Sequence, residues 1–142
     1  MNPGTELLQY IHKTAEIGCE GILSVLDYAQ DDGLRDALTA QLEEYRAFER
    51  DAEHLLLERG ERSADVGSVA KASAHVMSAA KLIPERSSSR IAEMTIEGNN
   101  MGISKTLKHL HNYAGDEREI VDLATRLLAV QRENVRQLQA YL

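Results

Sequence analysis

Apolar residues recur at intervals of three and four along four stretches of similar length, the period of an amphipathic helix, and no stretch sustains the alternation of a half-buried strand. The first stretch predicts a helix over about 5–31, with Leu8, Ile11, Ala15, Gly18, Ile22, Leu26 and Ala29 on one face. Asp31-Asp32-Gly33 then supplies a turn. The second predicts a helix over about 33–59 through Leu34, Leu38, Leu42, Tyr45, Ala52 and Leu56, with Gly60 just past its end, so these two helices form an antiparallel hairpin. The third, over about 88–114, starts among the capping residues Ser87, Ser88 and Ser89. It carries Ala92, Ile96, Ile103, Leu107, Leu110 and Ala114 inward before Gly115 stops it. The fourth, over about 116–141, opens on Asp116 and Glu119, which read as a capping box, and continues the stripe through Ile120, Ala124, Leu127, Leu128, Val135, Leu138 and Leu142.

Between the second and third helices, residues 61–86 form a link too long for a turn. Val66, Val69, Ala70, Ser73, Val76, Met77 and Ala80 lie at amphipathic spacing, and Pro84 follows, so a short helix is expected over about 65–82. A link of that size either carries the chain back along the bundle, making helices two and three parallel, or parks the short helix at one end of a plain up-down-up-down arrangement. The pattern therefore specifies an all-α single domain over 1–142, a four-helix bundle with a long central connection.

Composition narrows what such a bundle can do. With 23 acids against 16 bases, a net charge of −7 and no basic window, the chain lacks the means to neutralise phosphates, so no nucleic-acid partner is expected. No apolar run reaches the ~18 residues of a membrane span, and the opening Met1-Asn2-Pro3-Gly4-Thr5-Glu6 has neither the basic nor the apolar part of a signal peptide. The single Cys19 has no partner in the chain, consistent with a reducing compartment. A cytoplasmic protein without a membrane partner is expected.

The layout resembles the ferritin superfamily, and Gly18-Cys19-Glu20-Gly21-Ile22 in helix one, with Ala92-Glu93 through Glu97-Gly98-Asn99 in helix three, resembles a bacterial ferritin-like family of unknown function. The resemblance implies a ferritin-like fold. It also exposes departures: Cys19 and Asn99 stand where that family tends to carry glutamates. Wider di-iron members use Glu-x-x-His on two helices. This chain has none; the nearest approach is Asp51-Ala52-Glu53-His54, with His54 on the outer side of its helix, and the fourth helix has no histidine. An altered carboxylate site would draw on Glu16, Glu49 and Glu93, with Glu20 or Glu97 in support, and would take iron or manganese.

At 100° per residue, the core faces of helices two to four are apolar except at Glu49, Asn99, Asn100 and Gln131. Buried amides and carboxylates cost a few kcal/mol unless hydrogen-bonded, so these four are expected to form a polar layer. Heights counted at about 1.5 Å per residue bring the four closer together in the plain topology than in the crossover one. The layer reads either as a register-fixing network or as an altered cofactor site. Gly18, Gly21, Gly98 and Gly102 each cost roughly 1 kcal/mol against alanine inside a helix, which close backbone packing, or room for a ligand beside the polar layer, would offset.

His109 and His111, two residues apart, point in different directions, and His12 and His75 are isolated in sequence. These read as surface or satisfied histidines, Cys19 as a small core filler, and Met94 and Met101 as residues under the linking helix or at a dimer contact. No phosphate loop, catalytic triad or zinc spacing occurs. The expected protein is a non-catalytic ferritin-like bundle without catalytic residues or a cofactor, acting through protein contacts as a homodimer or small homo-oligomer. The alternative is a metal-binding protein or oxidoreductase with a nonstandard carboxylate site.

Overall fold

The computed structural model describes residues 2–63 and 87–142, so the linking helix expected over about 65–82 lies outside the described residues. Within them the chain is all-helical, without a strand: α1 Pro3–Leu26, α2 Asp32–Glu58, α3 Ser88–Asn112 and α4 Arg118–Leu138, followed by one 3₁₀ turn at Gln139–Tyr141.

Local chemistry sets the helix ends. Asn2 caps α1, its side-chain oxygen accepting from the amides of Gly4 at 2.8 Å and Thr5 at 3.3 Å, with Pro3 preset for the first turn. The helix therefore starts at Pro3. It stops at Leu26, earlier than the apolar spacing suggested, and Arg35 of α2 donates to the carbonyls of Leu26 at 3.0 Å and Ala29 at 3.1 Å, satisfying acceptors that the ended helix leaves free. Asp31 caps α2 through Leu34 N at 2.9 Å, and Ser87 caps α3 through Arg90 N at 3.2 Å. Asp116 and Glu119 do not form the expected capping box. The chain enters α4 two residues later, with Glu117 in the N-cap position and no side-chain cap. The Glu117 amide donates instead to Tyr113 Oη at 3.2 Å. Gly60, at φ +72°, turns the chain out of α2.

Side-chain contacts fix the helix directions. Gly4, at the start of α1, lies against Arg59 just past α2 and against Glu117 and Ile120 at the start of α4, and Arg59 pairs with Glu117. At the other end, Tyr141 after α4 reaches Gly33 at the start of α2. Tyr10, early in α1, meets Gly102, Thr106 and His109 near the end of α3. Hence α1 runs antiparallel to α3 and α2 antiparallel to α4, while α2 and α3 run parallel. This is the crossover order, not the plain one that the height count favoured. The height count assumed one polar layer, and the polar groups occupy several levels.

The helices pack as two antiparallel hairpins, α1 with α2 and α3 with α4. Of the two diagonals, α1 and α4 make the closer and α2 and α3 the longer. The core is built from Leu8, Ile11, Ala15 and Ile22 of α1, Leu34, Leu38, Leu42, Tyr45, Ala52 and Leu56 of α2, and Ile120, Leu123, Ala124, Leu127 and Leu138 of α4. Helix α3 departs from the expected pattern: Ile96, Ile103, Leu107 and Leu110 are only half-buried and Ala114 is exposed. Its innermost row is Ala92, Asn99 and Thr106, each seven residues from the next, beside Ile91.

Candidate functional site

The half of the core around α3 is polar. Tyr45 of α2 donates to Asn99 Oδ1 at 2.7 Å, Asn134 of α4 donates to the same oxygen at 3.3 Å, and Asn99 Nδ2 donates to Thr95 O at 2.9 Å. Nearer the other end of the bundle, the single proton of Thr106 goes to Gln131 Oε1 at 3.0 Å. The Thr106 hydroxyl also lies 2.8 Å from the Tyr10 phenol, which reaches Gly102 O at 3.3 Å. Gln41, fully buried, donates to Gln137 at 3.1 Å. Among the described residues, Asn134 Oδ1 and Gln41 Oε1 are buried without a partner.

Two of the helical glycines serve these networks. A Cβ at Gly18 would stand 2.9 Å from the Tyr45 ring, and one at Gly102 would stand 2.5 Å from Gln131 Nε2. Close approach is thus the reason for glycine at both, although what approaches is a side chain and not a helix backbone. Nothing lies within 4 Å of a Cβ at Gly98, and the structure offers no reason for that glycine.

Of the four residues expected in one layer, Asn99 and Gln131 are buried members of separate clusters. Asn100 is exposed, because the inner row of α3 runs through its neighbour Asn99. Glu49 is half-buried and belongs elsewhere, in the seam between α1 and α2.

That seam holds a separate constellation. His12 and Glu16, one turn apart on α1, and Glu49 on α2 place one potential ligand atom each within 4.8 Å of one another. His12 Nδ1 lies 3.2 Å from Glu16 Oε1, and the imidazole is 4% exposed. Cys19, two turns along the same face from His12, points its buried Sγ at Glu49 Oε2 across 4.0 Å. Burial first, and then the charge of Glu16, push the Glu49 carboxyl above its ordinary range, with His12 and Arg46 partly offsetting them. Burial, reinforced by Glu49, pushes the Cys19 thiol up to about 11. Two carboxylates and an imidazole thus converge in this seam.

The other carboxylates stand apart. Glu93 is exposed and pairs with Arg90 at 2.9 Å, Glu97 is exposed, and Glu20 is half-buried without a ligand atom in the cluster. His54 is exposed and faces Glu58 at 3.1 Å. His12, read from sequence as an isolated surface or satisfied residue, is buried, is paired with Glu16 and lies within the cluster. The signal was present: His12 follows Leu8 by four and precedes Ala15 by three, which places it on the α1 core stripe.

A two-iron centre of the ferritin kind does not fit these residues. Such a centre draws carboxylates from all four helices. Here α3 and α4 present Asn99, Gln131 and Asn134 to the interior, already hydrogen-bonded to Tyr45, Thr106 and each other.

The described helices include none long and apolar enough to cross a membrane. No protein-family model, curated protein or solved structure matches the chain significantly.

Proposed function

We propose that this chain is a metal-binding ferritin-like bundle that holds one divalent first-row cation between α1 and α2 through His12, Glu16 and Glu49. The observation that carries the reading is the convergence of their three ligand atoms within 4.8 Å, around an imidazole otherwise buried in the core. One imidazole with two carboxylates suits manganese, iron or zinc. Glu16 is 27% exposed, which leaves an entry path from solvent. The ferritin-like assignment draws support from the parallel α2 and α3, which need a long crossing connection. The acidic balance and single cysteine favour a cytoplasmic setting. Protein purified without chelator should carry manganese, iron or zinc at close to one ion per chain by elemental mass spectrometry. Metal content no higher in the native chain than in Glu49→Gln would contradict the assignment.

A second reading, action through protein contacts as a homodimer, is favoured by α3. That helix keeps Ile96, Ile103 and Leu107 half-buried and Met101 62% exposed. Light scattering gives its test: a dimer weakened by Met101→Glu supports it, and a monomer at all concentrations sinks it.

A further inference from the structure

The three ligand atoms at the α1–α2 seam are too few to enclose an ion. We propose that a cation held there keeps at least one coordination position facing solvent, which takes an exchangeable water or, in its place, a small singly charged oxygen or nitrogen donor. The ion is then available to an outside ligand and is not a brace for the fold. This inference rests on the metal-binding reading above and adds the class of ligand that the bound ion accepts.

The donors set the first step. His12, Glu16 and Glu49 offer one ligand atom each within 4.8 Å of one another, and among the described residues no further histidine, cysteine or carboxylate joins that group. Zinc prefers a tetrahedral shell and manganese an octahedral one. One atom from each residue therefore leaves a position over in the first and more than one in the second. Zinc sites closed by protein ligands on every side brace a fold, whereas those with three protein ligands and a water are the ones that act on a substrate. Position sets the second step. Atoms this close to one another form one face of a coordination shell, and the 3.2 Å between His12 Nδ1 and Glu16 Oε1 is an edge of it. His12 is the buried corner of that face, while Glu16 and Glu49, both part-exposed, are the outer ones. The protein donors thus come from the core side, and the rest of the shell turns toward solvent.

The hairpin packs without help from an ion: Ile11, Ala15 and Ile22 of α1 and Leu42, Tyr45 and Ala52 of α2 are buried along the same two helices. A structural ion, by contrast, supplies folding free energy outright. Charge then restricts the guest. Two carboxylates balance a divalent ion, and Glu53 adds a further negative charge felt by Glu49, so a neutral or singly charged donor is accepted and a dianion is not. On exchange the bond from the ion to the entering donor forms as the bond to water breaks, the water leaves to solvent, and the ion keeps its oxidation state.

Cobalt(II) titration of the full-length, metal-free chain, followed by visible absorption and then by addition of sodium azide, tests this. The expected result is one cobalt per chain, at least roughly 10-fold weaker in Glu49→Gln, with bands that azide shifts saturably while the ion stays bound through gel filtration. Sodium sulfate at the same concentration should leave the bands in place, and the metal-free chain should keep its helices by circular dichroism. Bands unmoved by azide, or an ion stripped by it, overturn the open position and leave the three-residue site standing. An equal shift by sulfate overturns the ligand class, and a metal-free chain that has lost its helices makes the ion a brace and overturns the proposal. Native binding absent, or undiminished in the variant, overturns both the open position and the site itself. Where Glu49→Gln does not fold, Glu16→Gln, at the exposed edge, takes its place.

Discussion

Tyr45 and Asn99 hydrogen-bond at 2.7 Å across the long diagonal of the bundle, joining two helices whose backbones otherwise stay apart. Both side chains are buried, and Asn99 Oδ1 also accepts from Asn134, so one amide links α2, α3 and α4. Replacing Asn99 by leucine strips partners from the Tyr45 hydroxyl and the Asn134 amide together. Each orphaned buried group costs about 1–3 kcal/mol, so Asn99→Leu should lower stability by roughly 2–5 kcal/mol. Its exposed neighbour Asn100 should tolerate the same change within about 0.5 kcal/mol. Urea unfolding of the two variants measures the difference, and equal losses would contradict the assigned face of α3.

Gly18 makes room for the Tyr45 ring. An alanine there gains about 1 kcal/mol of helix propensity but pushes a Cβ to 2.9 Å from ring carbons pinned by the Asn99 bond. Overpacking costs about 1–3 kcal/mol, so Gly18→Ala should destabilise by up to about 2 kcal/mol. Gly98→Ala, where space is open, should stabilise by up to about 1 kcal/mol. Thermal melts of both variants should move in opposite directions, and a shift of the same sign would count against the packing described.

His109 stacks on Tyr10 with ring centroids 3.9 Å apart. Partial desolvation of this largely exposed ring, with opposition from Glu6 and help from Lys105, lowers its pKa below the ordinary 6.5. The unfolded chain therefore takes up this proton first. The histidine's contribution to stability is complete above the unfolded pKa and is lost as pH falls through the folded one. The native chain should lose stability between about pH 7.5 and about pH 5 more steeply than His109→Phe, which keeps the stack without titrating. Urea midpoints at the two pH values provide the check, parallel losses being the contrary result.

Much of the bundle is legible from periodicity because Leu8, Ile11, Ala15 and Ile22, and likewise Leu34, Leu38, Leu42, Tyr45, Ala52 and Leu56, fall where a 3.6-residue period puts them. Helix α3 is not, because its inner row of Ala92, Asn99 and Thr106 is polar and a reading that ranks faces by hydrophobicity turns it toward Ile96 and Ile103. The same bias hides Gln41, His12 and Asn134. Gln41 lies three after Leu38 and four before Tyr45, His12 four after Leu8, and Asn134 four before Leu138, all on core stripes. Glu16 and Glu49 were candidates from sequence, but only tertiary packing brings α2 against α1 so that Glu49 meets His12 and not Glu93. Helix direction was equally out of reach, since it depends on which ends meet.

The convergence of His12, Glu16 and Glu49 is tested most directly by isothermal titration calorimetry of the metal-free chain with zinc, beside His12→Gln and Glu49→Gln. The proposed site predicts one ion per chain for the native protein and at least a roughly 10-fold weaker affinity in each variant. Native binding absent, or undiminished in both variants, would contradict it.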